Sequence, residues 1–191
     1  GITLSGQLSI KWAEKAMNEY LNKMLKSDED YVIAIDTDSL YVDMNPLVKA
    51  VNPKDPVSFI DKACEEKIVP MLAKSYEKMN DRLNGFENRM VMAREAIADK
   101  GIWTAKKRYI LNVHNNEGVQ YAEPKLKVMG IEAVKSSTPQ IVRDKFKKAY
   151  SLMLNSTEAE LQKFVADFYE EFQSLPPEDV SFPRSVSDIE K

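Results

Sequence analysis

The chain has 191 residues, 43% hydrophobic and 30% charged, with a formal net charge of −3 at pH 7. That is enough for one domain, or one domain and part of a second, around a real core; no apolar run approaches the ~20 residues that span a bilayer, and no secretory leader is visible. The one cysteine, Cys64, excludes an internal disulfide and fits a reducing cytosol, where it is expected as a small buried residue on a helix.

Leu8, Trp12, Met17, Tyr20, Leu21, Met24 and Leu25 recur at helical spacing and predict a helix over 7–26. The chain opens almost inside this helix, which points to a longer parent. After the polar break Ser27-Asp28-Glu29-Asp30, residues 31–35 are rich in β-formers. Asp36-Thr37-Asp38 interrupts the run and Leu40-Tyr41-Val42 resumes it, the pattern of a hairpin without a turn glycine. Residues 44–56 hold three prolines and read as a loop. A long helical stretch over 57–83 contains Pro70, which should kink or split it.

Residues 86–98 include an apolar stretch suited to a strand. Strands are expected at 109–113 and 119–121, joined by a turn over 114–118 that would expose His114, and again at 126–131. Ser136-Ser137-Thr138-Pro139 has the hydroxyl caps and proline of a helix start, ahead of helices over 139–154 and 157–175 and a loose tail. The order is α+β with an antiparallel sheet, followed by helices.

The modest net charge hides an asymmetry. Residues 100–150 hold 11 Lys and Arg against 4 Asp and Glu, a local +7, which leaves 16 basic and 26 acidic residues elsewhere, or −10. A basic block within an acidic chain is a face for a polyanion or a solvated surface. Trp12, Tyr20, Tyr76 and Tyr109 are too scattered for a stacking code and are expected in the core.

Asp36 and Asp38 flank one residue where an apolar strand ends. Carboxylates are hard oxygen ligands suited to Mg²⁺; equally, aspartates are common turn formers. An apolar strand followed by Asp-x-Asp also resembles the first motif of haloacid-dehalogenase-type phosphatases, with Asp36 as nucleophile and Asp38 as general acid, although no convincing downstream acidic motif follows. A third reading is a DNA-binding or assembly module with no chemistry of its own.

The string Asp36-Thr37-Asp38-Ser39-Leu40-Tyr41-Val42 closely resembles the Asp-Thr-Asp-Ser signature of family B DNA polymerases. Four further stretches resemble T-even-like phage members in order: Arg94-Glu95-Ala96-Ile97-Ala98, Trp103-Thr104-Ala105-Lys106-Lys107-Arg108-Tyr109, Tyr121-Ala122-Glu123-Pro124-Lys125-Leu126-Lys127 and Lys135-Ser136-Ser137-Thr138-Pro139. The resemblance implies a palm portion over 1–130 and the start of a thumb over 131–191, which stops partway near Ile189-Glu190-Lys191. It implies template-directed nucleotidyl transfer with Mg²⁺, with Asp38 as metal ligand and Asp36 assisting. Lys106, Lys107, Arg108 and Tyr109 would contact the primer; Lys125, Lys127, Lys135, Ser137 and Thr138 would contact DNA. Glu95 is a candidate neighbour of the metal site, or a plain salt-bridge partner. Partners would be primer–template DNA, a deoxynucleoside triphosphate and the missing N-terminal portion (exonuclease, remaining palm, fingers), in the cytoplasm of an infected bacterial host. Family members carry glycine before Asp-Thr-Asp where this chain has Ile35, and their earlier Asp-x-x-Ser-Leu-Tyr-Pro motif has no counterpart here. The isolated chain is therefore expected to be inactive.

Overall fold

The structure, a computed structural model, describes residues 1–185; the expected stopping point of the thumb, Ile189-Glu190-Lys191, lies outside them. Two compact units divide the chain: Gly1–Ile97 with Asn116–Val119, and Ala98–Asn115 with the chain from Gln120 on. The fold class is the expected α+β. Among the described residues no helix is long and apolar enough to cross a membrane.

In the first unit, helix α1 (Ile2–Leu25) precedes the hairpin of β1 (Val32–Asp36) and β2 (Ser39–Val42). Helices α2 (Asn45–Val51), α3 (Pro56–Ala63) and α4 (Val69–Arg82) follow. Helix α1 starts five residues earlier than its apolar pattern predicts, and its first turns are exposed. Its buried stripe is Ala13, Met17 and Leu21, at intervals of four, set against Leu72, Tyr76 and Met79 of α4. Leu8 and Met24 of the predicted stripe are exposed. Trp12 Nε1 donates to Ser75 Oγ and O at 2.8 and 2.9 Å, so the largest ring of α1 is satisfied on α4.

Helix α2 stands where a loop was expected. Pro46 lies in its first turn, where a missing N–H costs nothing, and Asn52 closes it in the left-handed region with φ 50°. Pro70 acts as expected: a widened π turn, Cys64–Ile68, separates α3 from α4, and Val69 N–H reaches back five residues to Cys64 O. Cys64 is buried on that turn, and burial pushes its thiol up to about 11. Of the stretch 86–98 expected to hold a strand, residues 86–95 form none; Phe86, Met90 and Val91 are exposed, and Arg94 instead pairs with Asp61 of α3.

The three-stranded meander of β3 (Ala96–Ala105), β4 (Arg108–Asn116) and β5 (Val119–Met129), in that order, falls mostly in the second unit. The two strands expected over 119–121 and 126–131 are one. Pro124 is tolerated because β5 is an edge strand, where its missing N–H costs no ladder bond. The turn between β4 and β5 is only Glu117-Gly118, with φ 50° and 85°, the twist that suits a two-residue hairpin. His114 is consequently on β4, half-buried, with Nε2 3.0 Å from Asp99 Oδ1, rather than in an exposed loop.

A 3-10 turn (Glu132–Val134) leads to α5 (Gln140–Asn155), α6 (Glu158–Ser174) and, in the tail expected to be loose, the single turn α7 (Pro177–Val180). Pro139 is the N-cap of α5 and no side chain caps it, which corrects the hydroxyl cap expected at 136–138. Thr157 and Glu160 do form a reciprocal capping box on α6. Ile110, Ile131 and Leu154 form the core with Ile102, Leu126, Val128 and Tyr150 around them.

Candidate functional site

The acidic hairpin is set in place by two asparagines of α1. Asn22 brackets Glu29, its Oδ1 accepting from Glu29 N and its Nδ2 donating to Glu29 O, each at 2.8 Å. Asn18 Oδ1 accepts from Tyr31 N and its Nδ2 donates to Asp30 Oδ1, again at 2.8 Å. With Val32 N, that bond holds the Asp30 carboxyl below its ordinary range. The chain therefore enters β1 in a fixed register.

Within the hairpin Ile35 pairs with Leu40 and Asp36 with Ser39, leaving Thr37-Asp38 as a two-residue turn. Thr37 has φ 53°, a region that β-branched residues rarely occupy. Strain of this kind collects at sites that need a fixed geometry. Asp36 is partly buried at the strand end, where its Oδ1 accepts from Thr37 Oγ1 at 3.1 Å, and Asp38 is exposed. Both offer hard oxygens. Two carboxylates suit Mg²⁺, which is commonly held by one or two protein carboxylates together with waters and substrate phosphates. Among the described residues no three His, Cys, Asp or Glu gather as a metal-holding group. Glu95 is exposed just before β3, where its carbonyl accepts from Glu117 N at 2.6 Å and Arg94 Nη1 at 3.1 Å.

In the second unit the stretch 106–109 is continuous in sequence but divided in space. Lys106 and Lys107 form the two-residue turn between β3 and β4, both exposed, Lys107 with φ 62°. Arg108 turns to the segment after β5: its Nε donates to Gly130 O at 3.1 Å and its Nη2 to Glu132 Oε1 and Oε2 at 2.5 and 2.7 Å. Tyr109 is only 4% exposed, its ring 6.3 Å from that of Trp103.

Side chains alternate across a sheet. Ile102, Ile110, Leu126 and Val128 share one core, so Trp103, Tyr109, Tyr121, Lys125 and Lys127 belong to the opposite face. There Lys125 Nζ lies 4.1 Å from the centre of the Tyr121 ring. Lys135 Nζ donates to Glu132 Oε1 at 3.1 Å. Ser137 is exposed, while Thr138 is buried and its N–H donates to Lys135 O at 3.1 Å.

Over its whole length the chain is 36% identical to the DNA-directed DNA polymerase of Enterobacteria phage T4. Over 82% of its length it is 41% identical to that of Escherichia phage RB69. Along its whole length the chain is similar to a segment of the T-even-type phage DNA polymerases. It spans 23% and 19% of those two relatives. No protein-family model matches it.

Sequence reasoning missed Gly130 and Glu132. Gly130 has φ 65°, and a Cβ there would lie 2.1 Å from Lys107 O, so the chain after β5 passes against the backbone of the basic turn. A glycine closing a strand was the available signal for the first. The second had no sequence signal, because pairing of Glu132 with Arg108 crosses 24 positions.

Proposed function

We propose that this chain is the part of a family B DNA polymerase that carries one carboxylate pair of the nucleotidyl-transfer centre together with the primer grip. Residues 1–130 serve as palm and 131–191 as the beginning of the thumb. The observation that carries this reading is the two-residue turn that places Asp36 and Asp38 together at the end of a strand, in a chain aligned throughout with phage polymerases.

Asp38 would hold Mg²⁺, with Asp36 assisting and shaping the turn. When bound, the metal supplies activation of the primer 3′-oxygen and stabilisation of the leaving phosphate. The remaining ligands and the nucleotide grip come from the missing N-terminal portion, so the chain alone does not extend primers. Lys106 and Lys107 take primer phosphates. Buried Tyr109 supports their turn from beneath, and Lys125 and Lys127 extend the basic surface. Lys135 and Ser137 receive phosphate at the entry to α5, whose first N–H groups have no side-chain cap; Thr138 supports Ser137 from its buried position. The setting is the cytoplasm of an infected bacterium, with primer–template DNA and deoxynucleoside triphosphate as substrates.

A fluorescence-anisotropy titration of primer–template DNA across salt concentrations tests the grip. Binding should weaken with salt, and a Lys106→Ala/Lys107→Ala variant should flatten the dependence by about two phosphate contacts, ~0.9 log units of affinity per log unit of salt each. Binding that ignores both salt and these lysines contradicts the reading. Hydrolysis of a small phosphate ester by the chain alone, abolished in Asp36→Asn, would replace it with the phosphatase alternative.

A further inference from the structure

The segment between β5 and α5 is organised around one carboxylate. Glu132 accepts from Arg108 Nη2 at 2.5 and 2.7 Å and from Lys135 Nζ at 3.1 Å. One residue pair back, Gly130 O accepts from Arg108 Nε at 3.1 Å, and the Gly130 backbone lies against Lys107 O so closely that no side chain fits between. The backbone repeats the tie: Lys135 N donates to Glu132 O at 3.2 Å, and Thr138 N to Lys135 O at 3.1 Å. Arg108, Lys135 and the Lys106-Lys107 turn are thus held by one residue and its neighbour. The Glu132 carboxyl stays below its ordinary range, through its own backbone N–H first and then Lys135 and Arg108.

A carboxylate inside a polyanion-binding surface is costly by charge alone, since it repels phosphate. Its benefit must come from order. Long cationic side chains lose rotamer freedom when they bind, and a pair fixed in advance loses less. We propose that Glu132 is a positioning residue for DNA: it fixes Arg108 and Lys135 and, with Gly130, holds the Lys106-Lys107 turn in the conformation that meets primer phosphates. This rests on the primer-grip reading above.

The two ideas separate by sign. If Glu132 is only a negative charge near DNA, Glu132→Ala tightens binding and steepens the salt dependence. If it positions the grip, the same change weakens primer–template binding about tenfold, despite the gain in positive charge, and flattens the salt slope by about one contact. Anisotropy titrations would compare the full chain, Glu132→Ala, Glu132→Gln, Arg108→Ala, the Arg108→Ala/Glu132→Ala double variant and Lys106→Ala/Lys107→Ala, with urea curves to confirm folding. Glu132→Gln, which keeps an acceptor, should lose less than Glu132→Ala, and the double variant should lose little more than Arg108→Ala. A loss of stability without a change in salt slope would reduce Glu132 to a structural residue and overturn the proposal. Tighter binding by Glu132→Ala, with weaker binding by the lysine variant, overturns it and leaves the primer grip standing. If the unaltered chain shows no salt-dependent binding, or the lysine variant binds as well as it does, the primer grip falls and the positioning role falls with it.

Discussion

Replacing Gly130 by alanine tests how tightly the basic turn is clasped. Two costs add at this position. An L-residue at φ 65° is in the left-handed region, which costs roughly 1–2 kcal/mol. The new Cβ would also lie 2.1 Å from Lys107 O, a backbone atom that cannot rotate away. Forcing a methyl group into filled space costs roughly 1–3 kcal/mol. The expected loss is therefore about 2–5 kcal/mol. Gly118 supplies the control: its φ is 85° and nothing lies within 4 Å of its would-be Cβ, so Gly118→Ala should show the conformational cost alone. Urea unfolding followed by circular dichroism would compare the two. Equal losses at both glycines would refute the clasp, as would a Gly130→Ala loss below about 1 kcal/mol.

Four other outcomes are expected. Asp38→Asn should leave the free energies of unfolding and of DNA binding of the isolated chain within about 0.5 kcal/mol of the parent, because the carboxylate is exposed on a turn. Cys64, with its thiol pushed up to about 11, should react slowly with a disulfide reagent at pH 8 and at the rate of a free thiol in 8 M urea, a concentration chosen from the usual ~1–3 kcal/mol/M slopes. The sign of its pH linkage follows: the folded state keeps the proton that the unfolded state releases, so the contribution of Cys64 to stability falls as pH rises from about 9 towards 11, and Cys64→Ala should remove that component. Thr157→Ala should cost about 1 kcal/mol by removing the α6 capping box, read as a lower urea midpoint.

Much of the fold was legible because local chemistry decided it. Pro70 broke its helix where the missing N–H required, and the two runs of β-formers on either side of Asp36-Thr37-Asp38 gave the hairpin. The misreadings have equally local causes. Pro46 suggested a loop because proline disfavours helix interiors, yet it occupies a first turn. Pro124 seemed to divide a strand that an edge position allows to continue. His114 looked exposed because the turn was read as five residues, whereas Glu117 and Gly118 make it in two.

The candidate site was legible as residue types, not as geometry. Asp36 and Asp38 are adjacent enough in sequence for a turn to bring them together. Lys106 to Tyr109 looked like one continuous grip, but the pleat sends Arg108 and Tyr109 to different faces. Glu132 became relevant only through a contact across the sheet's connection, a relation that no local pattern encodes.

The central claim is that Asp38 serves a polymerase centre completed by residues outside this chain. Its most direct test replaces the aligned segment of the phage T4 polymerase with this chain and measures primer extension by the chimera, with and without Asp38→Asn. The account predicts that the chimera extends primers and that Asp38→Asn lowers the rate at least about 100-fold, the scale of losing a group that stabilises transition-state charge. A chimera that extends equally well with Asn at position 38, or one that folds and binds primer–template yet never extends it, would contradict the account.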